Sequence, residues 1–256
     1  MIKILLFLPI IIFAQVIKFS PLPVDTANNL YNKYSPLLQY LSLHTGDKYK
    51  FIYSPTYKDL LNNFKHKKVD MIILGALPYI KLKKEFKSAK PIITFLNKYN
   101  KPYYTCQIIT NDKDIKSLND INYDTKIFLT SKLSTCGYLL TEYMFNRKNK
   151  TLQEYNYKYT GSHINVVFNV TLYNNSIGDV KSSIAREYKH FIKIIDTSIK
   201  IPEFSLVINT NKLSKQKIKK IVSLLINYKK CKRKLIATPQ NFYESIEKIS
   251  KGIEIK

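Results

Sequence analysis

The chain has 256 residues, 45% of them apolar and 13% aromatic, enough to bury a core and unlike a disordered chain. Six Gly and ten Pro exclude collagen-like and low-complexity classes, and three Cys (Cys106, Cys136, Cys231) exclude a fully paired disulfide framework. Lys and Arg total 42 against 18 Asp and Glu, a net charge of +24. Among the basic residues the arginines are Arg147, Arg186 and Arg233, and the other 39 are Lys. Base reading relies on Arg forks, so this charge describes a solvated lysine surface that attracts anions in general and not a nucleic-acid reader.

Residues 1–14 join one Lys to an apolar run from Ile4 to Ala14. The run is too short for a membrane span, which needs about 20 residues, and fits a secretory signal cleaved after Ala14. The mature chain is therefore expected in an exported, periplasmic setting.

Further along, Val16–Ser20 predicts a strand, and the spacing of Leu30, Tyr34, Leu37, Leu38 and Leu41 predicts a helix from Asn28 to Thr45, stopped by Gly46. Tyr49–Ser54 alternates as a strand, and Ser54-Pro55 is expected to start a helix carrying Leu60, Leu61 and Phe64. Asp70–Leu74 follows as a buried strand closed by Gly75-Ala76, then a helix from Tyr79 to about Phe86 and a strand at Pro91–Phe95. Alternating strands and helices imply a parallel sheet. After a polar break at 97–102, strands are expected at Tyr103–Thr110 and Lys126–Thr130, a helix from Thr135 to Phe145, and a loop from Asn146 to Asn156. Gly161-Ser162-His163 opens a helix whose apolar residues include Ile164, Val167, Phe168 and Leu172. Strands at Phe191–Ile195 and Phe204–Ile208 flank a second polar crossing, Ser198 to Pro202, and helices at 214–227 and 241–250 close the chain.

Four strand ends carry small hydroxyls, Gly or Tyr where a helix begins: Ser54/Thr56/Tyr57, Gly75-Ala76, Thr130-Ser131 with Ser134-Thr135-Cys136-Gly137, and Gly161-Ser162-His163. Each hydroxyl taken alone reads as a helix cap. Together they suit an anion, because ligands of open α/β sheets bind at the carboxyl ends of strands and helix N-termini carry partial positive charge.

Leu133-Ser134-Thr135-Cys136-Gly137-Tyr138-Leu139 resembles the Ser-Thr-Ser-Gly anion loop of phosphate/phosphite/phosphonate-binding proteins of ABC transporters. Tyr34-Ser35-Pro36-Leu37 with Thr45-Gly46, Val69-Asp70-Met71-Ile72 with Gly75 and Tyr79, Ser117-Leu118-Asn119-Asp120, Gly161-Ser162-His163 and Ile201-Pro202 fall in that family's order, covering nearly all of residues 18–230. The resemblance implies an α/β, two-lobed periplasmic-binding-protein fold of type II with the ligand cleft between lobes. Lobe one would be residues 16–101 plus 203–256, lobe two 102–202. It also implies an exported binder of phosphate, phosphite or phosphonate, with Tyr57, Gly75, Tyr104, Ser131, Ser134, Thr135, Cys136, His163 and Asp179 at the ligand. No cofactor, metal or enzymatic activity is expected. The implied partners are the small oxyanion and an ABC transporter permease, the latter giving the sole membrane contact, and the chain is expected to be a monomer. A partner of a membrane sensor kinase, or a binder of an unrelated small anion, would share this fold.

The family usually has Ser where this chain has Cys136, and the stretch from Leu172 to Asp179 is longer than the family's Val-x-x-Gly-x-x-Asp. Cys136 is expected as a free thiol at a helix start, shielded by ligand. Cys136, His163 and Asp179 could instead form a nucleophile, base and orienter, a weaker reading than binding. The run Lys229 to Lys234 is expected to cap the preceding helix's negative end and not to bind nucleic acid.

Overall fold

The computed structural model describes residues 14–229 and 233–253, so residues 1–13 of the expected signal and the middle of the 229–234 basic run, Cys231 included, lie outside the described residues. The first half of the chain builds β1 (Val16–Ser20), α1 (Ala27–Thr45), β2 (Lys48–Phe51), α2 (Tyr57–Lys65), β3 (Met71–Leu74), α3 (Ala76–Glu85) and β4 (Ala89–Phe95). The chain then crosses over through β5 (Tyr103–Tyr104) to β6 (Cys106–Thr110) and β7 (Lys126–Leu129). A π-helical turn (Thr135–Leu139) leads into α4 (Leu140–Asn146), β8 (Tyr157–Tyr159), α5 (His163–Leu172), β9 (Ser176–Lys181), α6 (Ser182–Glu187) and β10 (Lys193–Thr197). The return crossing is β11 (Ile201–Pro202), followed by β12 (Ser205–Asn209), α7 (Lys215–Ile226), β13 (Leu235–Ala237) and α8 (Glu244–Gly252).

Two main sheets result. One runs β13-β4-β12-β3-β1-β2, the other β10-β6-β9-β7-β8, and the crossing strands β5 and β11 pair with each other, Tyr104 opposite Ile201. The expected parallel sheet is mixed. Strand β12 returns from the second lobe and inserts antiparallel between β3 and β4, and β13 is antiparallel to β4.

The period of two along each strand divides the core. Ile72 and Leu74 of β3 and Val207 of β12 face one apolar cluster, while Met71, Ile73, Leu206 and Ile208 face another against α1 and α7. The first cluster is continuous across both lobes: it joins Leu60, Ala76 and Tyr79 to Ile108, Leu129 and Leu139. A smaller cluster of Ile109, Phe128, Val166, Val167 and Val170 lies on the outer face of the second sheet. The lobes therefore meet through packed apolar surface.

Several local expectations change. Thr56 caps α2, accepting from the Asp59 N–H at 3.1 Å, so Pro55 lies outside the helix. The expected loop 146–156 holds a 3-10 turn at Leu152–Glu154, closed by a Thr151/Glu154 capping box. Helix α5 turns Ile164, Phe168 and Leu172 outward, each more than half exposed, and buries Val166, Val167 and Val170. The reason is Gly178 on β9: a Cβ there would stand 2.4 Å from Val166 Cγ1 and 2.9 Å from Val170 Cγ2. The valine face can press that close only against glycine.

The largest correction concerns Cys136. It is disulfide-bonded to Cys106, with Cα atoms 5.3 Å apart. The bond ties β6 to the π-turn, and both residues are buried. The expected free thiol does not exist in this state. Closing a loop of sequence separation 30 restricts the unfolded chain by about 3–4 kcal/mol. The double variant Cys106→Ala/Cys136→Ala is expected to lose stability of that order, read as a lowered denaturant midpoint with a slope that rises as the uncrosslinked unfolded chain expands. An unchanged midpoint would show the two sulfurs unbonded in solution.

Candidate functional site: the interlobe cleft

The site begins where β7 ends. Thr130 and Ser131 turn the chain, and Ser134 caps the π-turn, its hydroxyl accepting from the Gly137 N–H at 3.2 Å. The Ser134 N–H donates to the Ser131 carbonyl at 3.1 Å, folding the loop against the turn. Gly137 permits this closeness: a Cβ there would stand 2.3 Å from Thr130 Oγ1 and 2.6 Å from the Ser131 carbonyl oxygen. The Leu140 N–H reaches back to the Thr135 carbonyl, the wide bond of a π-turn. Thr130 Oγ1 and Ser131 Oγ are buried with no hydrogen-bond partner.

Thr135 connects the lobes. Its Oγ1 accepts from the Leu77 N–H at 3.1 Å, in the first turn of α3. Gly75 precedes that helix and offers no side-chain cap. A Cβ on Gly75 would lie 3.1 Å from the Phe204 ring and 3.8 Å from Thr135 Oγ1, so the approach is tight. Tyr104 is buried beside the Thr135 hydroxyl, with its ring edge-on to Phe204 at 6.4 Å. Burial, then the Glu203 carboxylate, pushes its phenol well above the ordinary range. Tyr57, the half-buried first residue of α2, is likewise raised by burial. Both phenols therefore stay neutral donors.

A buried ion pair lies on the other side of Tyr104. Lys181 Nζ is 2.6 Å from Glu203 Oε2, and it sits over the rings of Tyr104 (4.1 Å) and Phe204 (4.8 Å). Burial lowers the Lys181 ammonium and Glu203 opposes that shift. The Lys181 backbone N–H donates to His163 Nδ1 at 3.3 Å. That nitrogen must therefore accept, leaving the proton of the neutral ring on Nε2. Burial, helped by the Lys181 charge, pulls His163 down from 6.5 to about 4.

Asp179 is placed differently. It is fully buried, and its Oδ2 lies 2.8 Å from Thr141 Oγ1, which is also 2.8 Å from the Cys136 carbonyl oxygen. One hydroxyl has one proton to give. The Thr141 hydroxyl thus faces two acceptors, the Asp179 carboxyl and the Cys136 carbonyl, and burial pushes the Asp179 carboxyl well above its usual range. Asp179 thus braces the π-turn from behind, with its carboxylate and the two sulfurs within 4.8 Å of one another.

The structure therefore brings Gly75, Tyr104 and Thr135 together, with Ser131 and Ser134 on the same loop. It sets His163 beside Lys181, and places Cys136 and Asp179 in the supporting layer. The nucleophile–base–orienter reading fails, because the Cys136 sulfur is bonded to Cys106 and His163 Nδ1 is bonded to Lys181. Lys181, Glu203 and the Leu77 N–H were absent from the expected site. The cue for Lys181 is a lysine inside β9, all six of whose residues are buried.

A family model described as ABC transporter, phosphonate, periplasmic substrate-binding protein matches residues 19–249. The chain belongs to this family. Sequence comparison with curated proteins finds no significant match. Among solved structures, a binding-protein component of an ABC phosphonate transporter from Pseudomonas aeruginosa is similar, with TM-score 0.79 and 20% identity over 93% of this chain and 86% of that one. PhnD1 from Prochlorococcus marinus, solved with methylphosphonate, gives TM-score 0.78 and 16% identity over 93% and 98% of the two chains. A Xanthomonas citri protein bound to chloride gives TM-score 0.77 and 16% identity over 93% and 96%. These likenesses establish the two-lobed periplasmic-binding-protein fold for this family member. The family is one of transporter substrate-binding proteins and not of enzymes, and its members are periplasmic. No helix among the described residues is long and apolar enough to cross a membrane.

The depressed His163 gives a pH signature. Between about 4 and 6.5 the unfolded chain holds a proton at this residue that the folded chain does not. Its contribution to stability is complete above 6.5 and is lost as pH falls toward 4. Unfolding free energy measured across that window should fall with acidity, and His163→Gln should flatten the fall. An identical slope in wild type and variant would place the His163 ring in water.

Proposed function

We propose that this protein captures a small phosphonate or related oxyanion between its lobes and delivers it to an ABC importer. The observation carrying this reading is the Leu77 N–H to Thr135 Oγ1 contact. A helix N-terminus of one lobe converges there on the hydroxyl loop of the other. An oxyanion in that place would take N–H groups from both helix starts and hydroxyl donors from Ser131, Ser134 and Thr135. Tyr57 and Tyr104 add neutral phenol donors, Gly75 leaves room for close approach, and His163 offers a neutral ring. Cys136 and Asp179 would act through the position of the turn and not by touching ligand. Phosphonate transport in the P. aeruginosa relative and methylphosphonate in PhnD1 support the ligand class.

The lobes in this reading are residues 16–101 plus 203–256 and residues 102–202, hinged at the β5/β11 crossing. Residues 1–14 direct export to the periplasm. The monomeric closed form docks on the permease. Lys81 and Lys132 approach each other from the two lobes, and Lys132 adds to the burial that lowers Lys81. This like-charge approach favours an anion between them.

Titration calorimetry with methylphosphonate, phosphite and phosphate tests the reading. One ligand per chain is expected, with no added metal. Ser134→Ala or Thr135→Val should each weaken binding by about 1.5–3 kcal/mol, the worth of a hydrogen bond to a charged group. Lys→Gln changes in the 229–234 run should cost far less. Absence of heat and of thermal shift with all three anions would overturn the assignment.

A further inference from the structure

Lys181 and Glu203 form a buried ion pair against the walls of the cleft, and it carries an inference that rests on the oxyanion reading and narrows it. Glu203 is fully buried, and Lys181 keeps 11% of its side chain exposed. The carboxylate is fixed by the chain itself: the Glu203 N–H donates to the Pro102 carbonyl at 2.8 Å, across the paired crossing strands. The ammonium is fixed by the ring faces of Tyr104 and Phe204 and by the His163 bond to its own backbone. Phe204 in turn lies against Gly75, next to Thr135. The pair is thus one aromatic ring away from the proposed oxyanion position.

We infer that Lys181 is a specificity-determining residue: it occupies the carboxylate of Glu203 and so restricts the cleft to small oxyanions whose far end bears no positive charge. An organophosphonate with an amino group would need a carboxylate for its ammonium. Of the two acidic residues gathered here, Asp179 bonds Thr141 behind the turn and Glu203 holds Lys181. Glu203 Oε1 has no partner, yet a second cation reaching it would share one carboxylate with Lys181 and meet its charge at close range. Displacing Lys181 would leave a buried ammonium unpaired, which is costlier still. A neutral terminal group meets neither penalty.

The test compares 2-hydroxyethylphosphonate with 2-aminoethylphosphonate by calorimetry, alongside methylphosphonate. The two longer ligands match in length and differ in the terminal group. Wild type is expected to bind the hydroxyl compound at least about tenfold more tightly, the scale of a like-charge penalty in a desolvated site. Lys181→Met frees Glu203 and should shift preference toward the amino compound. The double variant Lys181→Met/Glu203→Gln leaves no buried charge unpaired, and in it the preference should largely disappear. Equal binding of the two compounds by wild type, or tighter binding of the amino compound, overturns the inference while methylphosphonate binding leaves the oxyanion reading standing. No binding of any of the three removes the oxyanion reading and this inference with it.

Discussion

A helix start without a cap is the constraint on which this structure turns. Gly75 brings no oxygen to the first turn of α3, and the Leu77 N–H finds its acceptor in Thr135, on the other sheet. Unsatisfied N–H groups at a buried helix end are costly, so the first lobe is incomplete without the second or without a ligand. The loop bearing Thr135 is correspondingly stiff. Gly137 lets the π-turn press onto Thr130-Ser131, the Cys106–Cys136 bond anchors it to β6, and Thr141 with Asp179 holds its backbone from behind. A rigid donor loop loses little freedom when an anion arrives.

Electrostatics divide between surface and interior. The +24 net charge is spread over lysines and draws anions toward the molecule without selecting among them. At the cleft, burial raises Tyr57, Tyr104 and Asp179 and lowers His163, and the Lys181–Glu203 ion pair is internally compensated. Selection among anions then rests on hydrogen-bond geometry and on which terminal groups the ion pair tolerates.

Much of this was legible along the chain because the information was local. Helix α1 runs to Thr45 and stops at Gly46 in the left-handed region, as the apolar spacing and the glycine predict. Ser134 and Ser162 cap their turns as hydroxyls before helix starts should. What was missed depends on partners distant in sequence. Cys136 reads as a thiol until β6 brings Cys106 beside it. Asp179 fits a ligand-facing position by motif, yet its strand directs it to Thr141. Lys181 is one of 39 lysines, and nothing in the sequence separates it from the solvated ones until Glu203 returns from the second crossing. The antiparallel insertion of β12 is hidden for the same reason.

The central claim is that an oxyanion is held between the α3 N-terminus and the Ser134-Thr135 turn. Amide nitrogen–proton spectra of the labelled protein, recorded while methylphosphonate is added, test it residue by residue. The account predicts that the largest shifts fall on Ala76 and Leu77 in one lobe and on Thr135 through Gly137 in the other, saturating together at one ligand per chain. Saturable shifts confined to the lysine-rich outer helices, with Leu77 and Thr135 unmoved, would contradict it.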